Sequence, residues 1–243
     1  MKKAIELEMN TRTKGRAKSA SDEGLKAYIR RVFSYMGISL GITAAITYFT
    51  INTGFFANLI EVTPKGAKLS TLGNIFMWAP LVLVLGMDFV RSMQGSKPML
   101  FLVAAVEGVS ISLIVLFAGV HTAFQAFLLT GILFGSMALY GYATDSDLTK
   151  MGNILMMGAF GLMLVSIVGV FTGGVGIWFS YAVVVIFTLL VAYEVQMIKG
   201  IYSQVADGEE LDKLAVMCAL SLYLSFINIF VSLLRILGNN RSN

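Results

Sequence analysis

Leu211-Asp-Lys-Leu-Ala-Val-Met-Cys-Ala-Leu-Ser-Leu-Tyr-Leu-Ser-Phe-Ile-Asn-Ile-Phe-Val-Ser-Leu-Leu-Arg235 is the stretch whose reading decides the fold. It is long and apolar enough to cross a bilayer, which takes about 20 residues. Yet Ser221, Ser225, Asn228, Ser232 and Arg235 follow one another at steps of four, three, four and three. At 3.6 residues per turn these side chains form one stripe, and Cys218 extends it by a further step of three. Unpaired polar groups are costly in lipid. The stripe therefore predicts a helix enclosed by other helices, its polar side turned to them or to a wet cavity.

The whole chain agrees with a membrane setting. Of its 243 residues 57% are hydrophobic and 13% charged, with a mean hydropathy of +0.79, where a soluble domain carries about 25% charge. No run of alternating polarity suggests a β-barrel. One cysteine excludes an intramolecular disulfide. Seven spans are predicted, at about 32–57, 73–92, 98–118, 122–143, 152–171, 175–199 and 212–237. They form a single membrane domain over 25–243, preceded by a basic tail, 1–24, expected to be disordered. Leu25, Tyr28, Val32 and Phe33 mark an amphipathic lead into span one. Fourteen Lys and Arg fall on one side of this topology and four on the other. The positive-inside rule then puts the N-terminus in the cytoplasm and, with seven spans, the C-terminus outside. The first 31 residues, with nine Lys or Arg against four Asp or Glu, read as an orientation signal, not a nucleic-acid contact. Gly37-x-x-x-Gly41, Gly131-x-x-x-Gly135 and the small residues of span five, Gly158, Gly161, Ser166 and Gly169, are expected to mark helix contacts.

Ionisable groups at membrane depth are functional candidates. Glu107 lies about ten residues inside span three, and Glu194 near the inner end of span six. Asp88 and Arg91, at the inner end of span two, are expected to share a layer with Glu194, where Arg91 could latch it. Carboxylates offer hard oxygens to Ca2+ and titrate differently when buried or paired, so Glu194 is a candidate Ca2+ contact. Arg235 reads as an interface anchor closing the stripe. His121 stands alone in a short turn, and no lysine deep in the last helix could hold a retinal; Lys213 is at its mouth. Nucleophile-elbow, zinc-protease, phosphate-loop and Cys/His motifs are absent, and no cofactor or enzymatic activity is expected.

Several stretches resemble one family. Ala219-Leu-Ser-Leu-Tyr-Leu-Ser-Phe-Ile-Asn-Ile-Phe230 with Leu233-Leu-Arg-Ile-Leu-Gly238 is similar to the C-terminal signature of the Bax inhibitor-1 family. Tyr193-Glu-Val-Gln-Met-Ile-Lys199 resembles its span-six motif, and Leu139-Tyr-Gly-Tyr142 with Thr144 and Asp147-Leu-Thr resembles the bacterial branch, as do Glu23-Gly-Leu-Lys-Ala-Tyr28 and Arg31-Val-Phe-Ser-Tyr-Met36. The resemblance implies a seven-helix fold with the last helix central and wrapped by the other six, in the cytoplasmic (inner) membrane of a bacterium. It also implies a proton-sensitive Ca2+ leak or, as in bacterial relatives, a link to a membrane-anchored ATP-dependent protease. The family's pH sensor is a pair of aspartates, which fall here on Glu194 and Ser225. Glu keeps the charge on a longer arm; Ser removes the second carboxylate and with it the coupling that lets two acids share a proton.

Overall fold

A computed structural model describes the backbone of residues 2–63, 66–89, 97–172, 174–204 and 209–239. These residues form seven α-helices and one small hairpin: α1 (Lys2–Asn52), β1 (Ile60–Thr63), β2 (Gly66–Leu69), α2 (Thr71–Phe89), α3 (Lys97–Ala118), α4 (Val120–Ala143), α5 (Thr149–Thr172), α6 (Ile177–Gln204) and α7 (Glu209–Asn239). Six of them, all but α2, are long and apolar enough to cross a membrane among the described residues. The protein is an all-α membrane protein.

The predicted spans fall within a few residues of α2 to α7. Span one differs. Its helix stops at Asn52, where Gly54 turns the chain at φ 72, a conformation that costs glycine nothing. In the other direction the helical backbone runs back to Lys2, through the tail expected to be disordered. Lys, Glu, Ala and Met at 2–9 are strong helix formers. The loop after span one holds β1 and β2, paired in antiparallel register from Ile60↔Leu69 to Thr63↔Gly66. Lys68 Nζ meets Glu61 across the strands at 3.0 Å. Ser70 then starts α2, its Oγ accepting from the Gly73 N–H at 3.1 Å.

Most of the described α7 residues face protein. Two-thirds (67%) of its most apolar window is buried, against 11–39% for the other five spanning helices. Its main neighbours are α6, α1, α4 and α3, while α5 packs on α6 and α2 on α3. Tyr223, Leu222, Ile229 and Leu234 are its fully buried anchors.

Two details show how backbone groups are satisfied in this apolar interior. Pro80 lies inside α2 and has no N–H to give the carbonyl four residues back, that of Phe76. Ser110 Oγ of α3 donates to that carbonyl at 2.6 Å. Between α1 and α3, a side chain at Gly108 would strike the Thr43 carbonyl and Ile46. That closeness lets Thr47 Oγ1 donate to the Gly108 carbonyl at 2.9 Å.

The glycine expectations are redistributed. Among the described residues nothing lies within 4 Å of where a Cβ would sit at Gly37, Gly41, Gly131, Gly135 or Gly161, so no close helix crossing is seen at these glycines. Gly158 and Gly169 do meet neighbours, Ile186 and Val175, but crossings against backbone or ring use Gly108, Gly141 and Gly152; a Cβ at Gly141 would meet the Ala192 backbone, and one at Gly152 the Tyr193 ring. Spacing identifies a smooth helix face but not which face the fold turns inward.

Candidate functional site

The polar stripe of α7 meets α6 at one carboxylate. Glu194 Oε1 accepts from Ser221 Oγ at 2.5 Å and from Ser225 Oγ at 3.0 Å. Glu194 is 4% exposed and Ser225 1%. Both serines lie on one face of α7 because they are four residues apart, and that face turns to α6. The other oxygen, Oε2, is buried and has no hydrogen-bond partner among the described residues. Oε1 is therefore held by protein, and Oε2 is the atom left to carry a proton or to face a cation.

The stripe does not act as one unit. Asn228 Nδ2 donates to the Leu224 carbonyl of its own helix at 2.8 Å. Ser232 is buried farther along, and Arg235 is exposed near the end of α7. Cys218, at the other end, lies 3.9 Å from the buried Tyr28 hydroxyl of α1. Glu107 is half-buried in α3 and makes no hydrogen bond to the Glu194 cluster. The latch expected from Arg91, and the side chain of Asp88, lie outside the described residues.

An ion cluster elsewhere ties the helices at the Glu209 end of α7. Asp212 receives Lys97 Nζ at 2.9 Å, Arg31 Nη1 at 3.5 Å and the Tyr35 hydroxyl at 3.0 Å. It joins α7 to α3 and α1. No motif in the sequence marks it, since its partners lie far apart in the chain. A second missed junction lies on the side of α7 turned away from Glu194, toward α1 and α3. Tyr223 is fully buried, and its hydroxyl lies 2.8 Å from Thr43 Oγ1 of α1, which also reaches the Ala104 carbonyl of α3 at 2.9 Å. A tyrosine in the middle of an apolar span was the available signal, since a buried phenol needs a partner.

The stretch Tyr193–Lys199 spends its polar residues on different neighbours. Gln196 Oε1 accepts from the Leu148 N–H at 2.8 Å, and its Nε2 donates to the Ser146 carbonyl at 2.7 Å. Lys199 Nζ donates to the Tyr142 carbonyl near the end of α4 at 2.7 Å. The loop so clamped leads into α5, where Asp147 Oδ1 accepts from the Thr149 N–H at 2.9 Å. Hydrogen bonds from the Thr149 hydroxyl and backbone hold the Asp147 carboxyl below its usual range.

The residues that bridge α6 and α7 are those of the two quoted family stretches. Residues 25–242 match the family described as "Inhibitor of apoptosis-promoting Bax1". The chain belongs to the Bax inhibitor-1 family. Its bacterial relatives within the Bax inhibitor-1 family match over most of their length. The protein RP147 of Rickettsia prowazekii is 35% identical over 226 residues, 90% of this chain and 92% of the relative. "Inner membrane protein YbhL" of Escherichia coli K12 is 32% identical over 223 residues, covering 90% and 94%. A Streptococcus pyogenes membrane protein, SpyM3_0260, is 32% identical over 222 residues, covering 90% and 96%.

Proposed function

We propose that this Bax inhibitor-1 protein is a pH-modulated cation (Ca2+) leak of the bacterial inner membrane. In this reading α2 is the seventh span, α7 is enclosed by the other helices, the N-terminus is cytoplasmic and the C-terminus outside. The observation that carries it is the buried carboxylate of Glu194, with Oε1 fixed by Ser221 and Ser225 and Oε2 unengaged. Charged, Glu194 attracts a cation into the α6–α7 seam; protonated, it does not. With Ser225 as a hydroxyl donor, the switch holds one exchangeable proton, so its response to pH is a single step and not a coupled pair.

The seam offers one carboxylate and two hydroxyls. Ca2+ takes about six to eight oxygens, and no group of three His, Cys, Asp or Glu occurs among the described residues. That set suits a passing ion that keeps much of its water, not a resident one. Liposomes loaded with a Ca2+ dye test the reading. Flux should vary between about pH 6 and 8, lose that variation in Glu194→Gln, and gain steepness in Ser225→Asp, which restores paired acids about 3 Å apart. No protein-dependent flux, or flux indifferent to Glu194→Gln, refutes it.

A second reading is favoured by Ser225 itself. Two serines donating to one oxygen also make a rigid brace, as suits a non-conducting regulator that binds a membrane-anchored ATP-dependent protease. Crosslinking from membranes with and without residues 1–24 separates the two; a partner set unchanged by the deletion counts against the tail as the docking handle.

A further inference from the structure

A cavity of about 690 Å3 opens at the hairpin end of the bundle, between β2, α2, the α5–α6 turn and the end of α7. Its walls are largely apolar, with Leu69, Met77 and Val175, and Asn74 adds an amide. Two cations line it, Lys68 and Arg235. Lys68 is already neutralised by Glu61 at 3.0 Å. Among the described residues Arg235 has no ion pair, so it supplies the uncompensated charge. Arg235 sits four residues before the last helical residue, Asn239. At 1.5 Å per residue that is about 6 Å from the helix end, close to the end of the span.

We propose that this cavity seats the headgroup of an anionic phospholipid from the leaflet on the hairpin side. Arg235 holds the phosphate, and Leu69, Met77 and Val175 line the glycerol and upper acyl chains. The guanidinium presents a planar fork of donors that matches a phosphate. The volume is within the range of about 300–1,000 Å3 common to small-molecule sites. An apolar wall beside one unpaired cation selects an amphiphile with a negative head over a soluble anion, which would leave the wall wet.

The test is native mass spectrometry of the full chain in neutral detergent, with phosphatidylglycerol and phosphatidylcholine added in equal amounts. The wild type should retain phosphatidylglycerol over phosphatidylcholine by about tenfold, because both offer a phosphate to Arg235 but the choline of the latter brings a second cation into the site. Arg235→Gln should abolish that preference, and Arg235→Lys should keep it in reduced form. Arg31→Gln, at the opposite end, should leave it intact. Equal retention of both lipids by the wild type overturns the proposal, as does unchanged preference in Arg235→Gln. If Arg235→Gln does not fold, complete loss of preference in a folded Arg235→Lys overturns it. Displacement of phosphatidylglycerol by excess inorganic phosphate also overturns it, since the ligand would then be a soluble anion.

Discussion

The Thr43–Tyr223 junction sets how α7 is rotated about its own axis, and a double-mutant cycle can weigh it. In Tyr223→Phe the ring stays and one hydroxyl goes. Thr43 Oγ1 keeps the Ala104 carbonyl at 2.9 Å and the Ser39 carbonyl at 3.0 Å, so no polar atom is orphaned. The cost is then one interhelical hydrogen bond, about 0.6 kcal/mol and at most about 1.7 inside a membrane. Thr43→Val has nearly the same shape but leaves the fully buried Tyr223 hydroxyl without its partner. An unsatisfied buried group costs about 1–3 kcal/mol, so Thr43→Val should be the worse single change. The double variant removes both groups and should cost less than the sum, by a coupling of about 0.6–1.7 kcal/mol. Reversible unfolding in mixed micelles of denaturing and neutral detergent reads all four proteins. Equal single costs, or strict additivity, would refute the reasoning, because neither fits a buried phenol that depends on Thr43.

Three further outcomes follow from the geometry. Gly141→Ala should destabilise by about 1–3 kcal/mol through overpacking against the Ala192 backbone, whereas Gly131→Ala, with nothing near it, should be neutral; melting temperatures in detergent compare them. Asp212→Asn should cost no more than about 1 kcal/mol, because its partners are partly exposed and screened, and raising the salt should shrink the difference. Asp147 is held below its usual range, so it stabilises the fold above the unfolded value of about 3.9. That contribution is lost as pH falls through the lower folded value. Asp147→Ala should therefore lose stability at neutral pH and show a shallower acid limb in a pH series of melting curves.

The helices were legible because hydropathy and length speak for each segment separately. Contacts between segments were not. The Glu194–Ser225 meeting was implied by the family resemblance, which pairs these two positions, and not by depth or spacing. The Asp212 cluster could not be read, because its partners Arg31 and Lys97 lie far away in sequence and each looks like an ordinary helix-end charge. The hairpin escaped notice for a different reason. Two four-residue strands carry too little alternation to stand out between two long apolar spans. The G-x-x-x-G motifs are smooth faces that no described residue approaches closely, because spacing alone does not say which face the fold turns inward.

The spacing of bonds along Tyr193–Lys199 has a mechanical meaning. Within two turns α6 is pinned to α5 by Tyr193 against Gly152, to the loop before α5 by both ends of the Gln196 amide, and to α4 by Lys199. Any rotation of α6 in answer to a proton on Glu194 would have to break all of these at once. On the facing side α7 offers only two serine hydroxyls, each able to swing about one bond. α7 is itself pinned, by Tyr223 at Thr43 and by Asp212 at Lys97 and Arg31, so the moving parts at this seam are two hydroxyls between two stators.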